Sequence, residues 1–94
     1  MSSFRVLLRG RLPSVPIEGE ARPAGFFVTR AVKATNAKEA GAEAIRLVQR
    51  ESKYLELSRL YAGQAAEIEV DEAVAAEGLD TDSVNRTGYV FFDD

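Results

Sequence analysis

The chain has 94 residues, of which 46% are hydrophobic and 29% charged, and its formal net charge is −3. This is the composition of an ordinary globular domain, so we expect a single domain over residues 1–94 and exclude a disordered tail. The sequence contains neither cysteine nor histidine, which excludes disulfides, thiolate chemistry and histidine-based catalysis or metal binding.

The first predicted strand covers residues 4–9. Phe4, Val6 and Leu8 recur at every second position, which is the spacing of a half-buried strand. All three prolines of the chain follow this strand. We therefore predict a loop over residues 10–25, and loops of this length are often functional or mobile.

The second predicted strand follows Gly25 and covers residues 26–34, which are rich in aromatic and β-branched side chains. Phe26 and Val28 would lie on its apolar face. Arg30 falls on the same face, which predicts either an edge position or a β-bulge that shifts the register there.

A helix is predicted next, because Asn36 is a favoured N-cap and Glu39 follows it with the spacing of a capping box. The apolar stripe of this helix contains Ala37, Ala40, Gly41, Ala44, Leu47 and Val48 and ends at Glu51. Its small residues predict a close approach of the helix to a sheet. Residues 52–62 either form a second short helix, capped by Ser52 and ended by Gly63, or continue the first one.

Two further strands are predicted in the second half of the chain. Residues 66–71 alternate between apolar and acidic side chains, which indicates a strand with one acidic face. That face would carry Glu67, Glu69 and Asp71. Residues 72–77 favour a helical turn ended by Gly78, and residues 89–92 form a last strand that is apolar on both faces.

The predicted order is ββα(α)ββ, which indicates the α+β class. We expect a two-layer domain in which one mainly antiparallel sheet of about four strands packs on one main helix. Residues 1–50 carry nine basic against four acidic side chains, and residues 51–94 carry three against eleven. Either basic and acidic strands neutralise each other within one sheet, or the basic half forms a binding surface.

Metal and cofactor binding are not predicted. Asp80 and Asp82 have the spacing with which an EF-hand loop opens, but Val84, Asn85 and Phe91 stand where a third ligand, a glycine and a bidentate glutamate are required. The glycine spacings match no phosphate-binding or dinucleotide-binding motif, and no nucleophile motif is present. We predict a non-enzymatic protein, and an enzyme whose carboxylate site is assembled only by the fold remains the alternative.

The leading functional hypothesis is a protein-interaction or self-associating module, such as a homodimer. In a two-layer domain the helix covers one sheet face, and an aromatic strand that is apolar on both sides then presents side chains to a partner. The predicted surface consists of Tyr89, Val90, Phe91 and Phe92. Alternatively, the loop at residues 10–25 or the segment at residues 52–62 folds over it.

A nucleic-acid-binding module is the second hypothesis. The first two strands carry arginines close to Phe26 and Phe27, and aromatic side chains on a sheet can stack on bases while arginines bind phosphates. The predicted contacts are Arg5, Arg9, Arg11 and Arg30. The net acidic charge argues against this function, because nucleic-acid-binding domains are usually basic.

Five segments of the chain resemble a group of short, uncharacterised bacterial proteins. They are the opening strand at residues 4–6, the strand that starts with GFFVTR at Gly25, the helix with Glu39-Ala40 near its start, the segment at residues 68–72 and the aromatic ending from Gly88. It implies a bacterial protein and assigns no activity. The chain has no apolar run of the roughly 20 residues that a spanning helix needs, and no signal-peptide core, so we expect a cytoplasmic protein without membrane contact.

Overall fold

The computed structural model describes residues 1–11, 25–60, 67–78 and 80–92, with the backbone alone at residues 57–60. In these ranges the elements are β1 (Ser2–Arg11), β2 (Gly25–Ala34), α1 (Ala37–Gln49), α2 (Ser52–Leu60), β3 (Glu67–Ala75), α3 (Thr81–Asn85) and β4 (Val90–Phe92). The strands form one antiparallel sheet in the order β3-β1-β2-β4. The predicted α+β fold with a four-stranded sheet is confirmed.

Parts of the sequence-based assignment fall outside these ranges. Within the predicted loop at residues 10–25, the two ends belong to β1 and β2, and residues 12–24 lie outside the described residues. Gly63, the predicted end of the second helix, and Ala66, the predicted start of the third strand, also lie outside the described residues. None of the described helices is long and apolar enough to cross a membrane.

Helix α1 covers one face of the sheet, which we call the covered face, and contacts β1, β2 and β3. The opposite face is called the open face. The core lies between α1 and the covered face and is formed by Phe4, Val6, Leu8, Phe26, Val28, Ala34, Ala40, Ala44, Val48 and Tyr54. Alternation in β1 and β2 therefore places every second side chain against the helix, as the sequence predicts.

The two ends of α1 follow from local chemistry. The Asn36 side chain accepts a hydrogen bond from the Glu39 N–H at 2.9 Å, which confirms the predicted N-cap. The predicted close approach to the sheet is confirmed at Gly41, where an added Cβ would lie 2.7 Å from Cγ2 of Val70. Helix α1 ends at Gln49 with Arg50 as its C-cap, and α2 is a separate helix in which Tyr54 is buried and Leu55 exposed.

Strand β3 contains a bulge that changes which of its side chains share a face. Val70 pairs with Leu8 while Glu72 pairs with Leu7, so Asp71 is one extra residue in the ladder. Ladder pairing with β1 continues to Ala75, and the helical turn predicted for residues 72–77 is wrong because this pairing holds the segment extended. Gly78 supplies the positive φ of 71° in the turn that follows the strand.

Candidate interaction surface on the open face

Strand β4 is apolar on both faces, as predicted. It pairs antiparallel with β2, with Phe91 opposite Phe26 and Val90 opposite Phe27. Because directly paired residues share a face, Phe91 lies on the covered face and Val90 on the open face. The Phe26 ring packs on Tyr89 at a centroid distance of 5.0 Å and on Phe91 at 6.2 Å. Phe26 thus anchors β4 to the core.

The open face ends in an apolar cluster at β4, which we call the aromatic patch and define as Phe27, Val90 and Phe92. The two rings lie 5.1 Å apart, and Val90 is 65% exposed. The guanidinium carbon of Arg9 lies 5.9 Å from the Phe27 centroid and 5.3 Å from the Phe92 centroid, within cation–π range. The patch therefore consists of one exposed and two half-buried apolar side chains, flanked by one cation.

The charges of the open face are balanced between neighbouring strands. Strand β1 places three arginines there, and β3, paired beside it, places three glutamates. These residues are Arg5, Arg9, Arg11, Glu67, Glu69 and Glu72. Arg9 pairs in register with Glu69, and Arg11 Nη2 lies 3.8 Å from a Glu69 carboxylate oxygen. The predicted pairing of a basic strand with an acidic one in the same sheet is confirmed.

Arg30 does not belong to this surface. It lies on the covered face, is 3% exposed, and forms a two-pronged ion pair with Glu51 at 2.7 and 2.8 Å. It also donates a hydrogen bond to the Thr87 carbonyl at 2.9 Å, while the Tyr89 hydroxyl donates to Glu51 at 2.7 Å. Strands β1 and β2 pair without a bulge at Arg30, so the predicted bulge is wrong. Strand β4 pairs with β2 at Gly25–Phe27, so Arg30 lies in a part of β2 that β4 does not reach. A planar guanidinium that meets a carboxylate through two hydrogen bonds can lie in an apolar layer.

The Arg30–Glu51 network shifts the pKa values of the Glu51 carboxyl and the Tyr89 hydroxyl. Burial tends to raise the pKa of the Glu51 carboxyl, but hydrogen bonds from Arg30 and Tyr89 outweigh this effect, so the pKa lies below its usual value. Burial, with the hydrogen bond to Glu51, raises the pKa of the Tyr89 hydroxyl. At neutral pH the network therefore consists of a carboxylate, a guanidinium and a neutral phenol.

This lowered pKa predicts an acid-dependent loss of stability. A carboxyl whose pKa is lower in the folded chain stabilises the fold above its unfolded pKa, about 4.3 for glutamate, and this contribution disappears as the pH falls through the folded value. In urea unfolding from about pH 6 down to about pH 3, the stability difference between wild type and Glu51→Gln should narrow with acidity. Glu43→Gln, which removes an exposed partner of Arg46, serves as the control and should follow the wild-type profile. A difference that is independent of pH would contradict this assignment.

A concavity of about 440 Å³ lies on the open face, between the sheet and α3. Arg5 and Leu7 of β1, Thr29 of β2, Glu72 of β3 and Val84 of α3 contribute to its lining. The sequence prediction assigned Asp71 rather than Glu72 to this face. The signal that identifies the bulge is the apolar spacing, which steps by two up to residue 70 and then by three to residue 73.

Helix α3 is held to the free part of the β2 edge by one side chain. The Ala31 N–H donates to Asn85 Oδ1 at 2.7 Å, and Asn85 Nδ2 donates to the Ala31 carbonyl at 3.3 Å. This pair of bonds imitates a strand neighbour at a position that β4 does not reach. Asn85 therefore fixes α3 as one wall of the concavity.

The carboxylates predicted as an acidic row do not converge. Glu67, Glu69 and Asp71 are exposed, and the bulge removes Asp71 from the alternation that Glu67 and Glu69 follow. Asp80 acts as the N-cap of α3 and accepts a hydrogen bond from the Ser83 N–H at 3.2 Å. Within the described ranges, no three acidic side chains are grouped in a way that could hold a metal ion.

Comparison of the chain with protein-family models, with curated proteins and with solved structures finds no match. The function is therefore argued from the geometry of the open face.

Proposed function

We propose that the protein is a non-enzymatic cytoplasmic interaction module that binds a protein, either a second copy of itself or another chain, through β4 and the aromatic patch. The observation that carries the proposal is the 65% exposure of Val90 beside the rings of Phe27 and Phe92. Contiguous exposed apolar side chains with a charged rim are typical of protein interaction sites. A bound partner would remove this apolar area from water.

The edge of β4 favours strand pairing as part of the contact. An edge strand offers unpaired backbone groups to another chain, and natural proteins protect such edges with charges and bulges. Strand β3 at the other end of the sheet has both, in its glutamates and in the bulge at Asp71. The residues Val90–Phe92 of β4 carry no charge. We therefore favour β4 as the edge at which a partner strand is added.

The charge arrangement favours a protein over a nucleic acid. A polyanion binds where phosphates meet unopposed cations. Arg9 and Arg11 lie opposite Glu69 and Glu67, and the guanidinium of Arg9 already lies over two rings. Arg5, which lies opposite Val74, leaves β1 with one unopposed arginine instead of a row of them. Arg30 is buried and paired with Glu51, so it offers phosphates no accessible cation.

The proposal predicts that Val90→Lys abolishes association while leaving the fold intact. A lysine at this exposed position brings a charge into the apolar contact without disturbing the core. Tagged wild type and Val90→Lys serve as baits for an untagged copy of the chain and for a bacterial extract, and the retained proteins are quantified by mass spectrometry. We expect the variant bait to retain at least about tenfold less of the specifically bound protein than the wild-type bait, as for a residue at the centre of an interface.

Leu55→Lys is the matched control, because Leu55 is 47% exposed on α2 and lies outside the patch. It should retain the same proteins as wild type. Identical retention by all three baits would contradict the proposal. Retention of nucleic acid alone, released by added salt, would instead favour the nucleic-acid hypothesis.

A further inference from the structure

The concavity beside α3 contains one cation and one anion that do not pair with each other. Arg5 and Glu72 both line it, and neither forms an ion pair with any residue that the structure describes. Arg9, in contrast, lies over two rings, and Arg11 is paired with Glu69. Among the residues that line the concavity, Arg5 and Glu72 are therefore the charges available to a ligand.

The register sets the spacing of these two charges. Leu7 lies directly opposite Glu72, and Arg5 is the preceding residue of β1 on the same face. Arg5 and Glu72 are thus diagonal neighbours, whose backbones are separated by about 7–8 Å. Leu7 is adjacent to both residues, so a molecule that carries both a carboxylate and an ammonium group can span the two charged side chains while it contacts Leu7.

We infer that this concavity binds a small zwitterion of the amino-acid type, with its carboxylate on Arg5 and its ammonium group on Glu72. An arginine fork suits a carboxylate, and a glutamate accepts hydrogen bonds from an ammonium group. Leu7 and Val84 supply the apolar contacts for an aliphatic side chain, and the Thr29 hydroxyl is a further polar contact. The volume of about 440 Å³ is within the range of small-ligand sites, roughly 300–1,000 Å³.

The presence of both charges selects against simpler ligands. A carboxylate without an ammonium group would be repelled by Glu72, and an amine without a carboxylate would be repelled by Arg5. This site uses residues separate from Phe27, Val90 and Phe92, so it does not depend on the function proposed for the aromatic patch.

The test is an NMR titration of the full chain, labelled with nitrogen-15, with L-leucine at millimolar concentrations. We expect saturable shifts of the amide signals of Leu7, Thr29 and Val84, with a dissociation constant on the order of 1 mM for so small a ligand. Arg5→Gln and Glu72→Gln should each weaken binding by about tenfold, because each removes one charge-assisted contact.

Two control variants and two control ligands make the outcome decisive. Lys33→Gln and Glu69→Gln remove exposed charges on the same face but outside the concavity, and they should bind L-leucine like wild type. Leucinamide and 4-methylpentanoate each lack one charge and should bind about tenfold more weakly or not at all. The inference is overturned if L-leucine causes no saturable shift, if either analogue binds as well as L-leucine, or if the control variants lose as much affinity as Arg5→Gln.

Discussion

Replacing Glu51 by alanine is expected to lower the free energy of unfolding by about 3 kcal/mol, because it leaves a buried guanidinium without its anion. Arg30 is 3% exposed and directs two hydrogen bonds to Glu51. In the variant the guanidinium keeps hydrogen bonds to the carbonyls of Thr29 and Thr87 and its position 5.7 Å from the Tyr89 ring centroid, but no anion. The same substitution removes the acceptor of the Tyr89 hydroxyl, so the segment leading into β4 should loosen as well. Urea unfolding at pH 7 measures the effect.

Glu43→Ala provides the comparison, since it removes an exposed carboxylate paired with Arg46 on α1. Surface ion pairs of this kind contribute about 0–1 kcal/mol, so the control should stay close to wild type. The double variant Arg30→Met with Glu51→Leu should recover most of the loss, because apolar residues can replace a buried pair. Equal effects of Glu51→Ala and Glu43→Ala would contradict the structural role of the network.

Replacing Gly10 by alanine is expected to cost about 2–3 kcal/mol, at the upper end of the range for overpacking a core. A Cβ at this position would lie within 2.7 Å of three atoms of the Phe26 ring. The ring cannot move aside, since it is fully buried and packs against Tyr89 and Phe91. The strain should therefore spread to β4, and thermal unfolding of the variant would measure it.

Gly88→Ala is the matched control, because an added Cβ there meets no atom within 4 Å. It should change the stability by less than about 0.5 kcal/mol. Combining Gly10→Ala with Phe26→Leu should restore part of the loss, since the smaller side chain makes room for the new methyl group. A Gly10→Ala protein as stable as wild type would show that the Phe26 ring is not confined as described.

The fold could be predicted where one residue pattern had one structural solution. Alternation in β1 and β2 fixed their apolar faces, and the small residues of α1 indicated its close approach to the sheet at Gly41 and Val70. The opposite charges of the two halves of the chain also indicated their pairing in one sheet. In each case a local pattern and the tertiary packing favour the same structure.

The remaining features depend on contacts between distant segments. The burial of Arg30 requires Glu51, which is 21 residues away in the sequence, although the end of the α1 stripe at Glu51 was a usable signal. The bulge at Asp71 transfers the open-face position to Glu72; the apolar step of three from Val70 to Ala73 signals this shift, and the ladder with β1 shows which residues then pair. The concavity also needs α3, which lies on the edge of β2 through Asn85. Sequence periodicity gives local signals at Glu51 and Asp71 but does not show which distant segments these residues contact.

The most direct test of the central claim is amide hydrogen exchange of the protein in its affinity-purified assembly, compared with the dilute protein alone. Backbone amides exchange more slowly where a partner protects them from water or adds hydrogen bonds. The account predicts slower exchange in Val90–Phe92 and at Phe27, with unchanged exchange over the exposed side of α1. Slower exchange confined to α1 or to the β3 edge, with β4 unchanged, would contradict the assignment of β4 and the aromatic patch as the interaction surface.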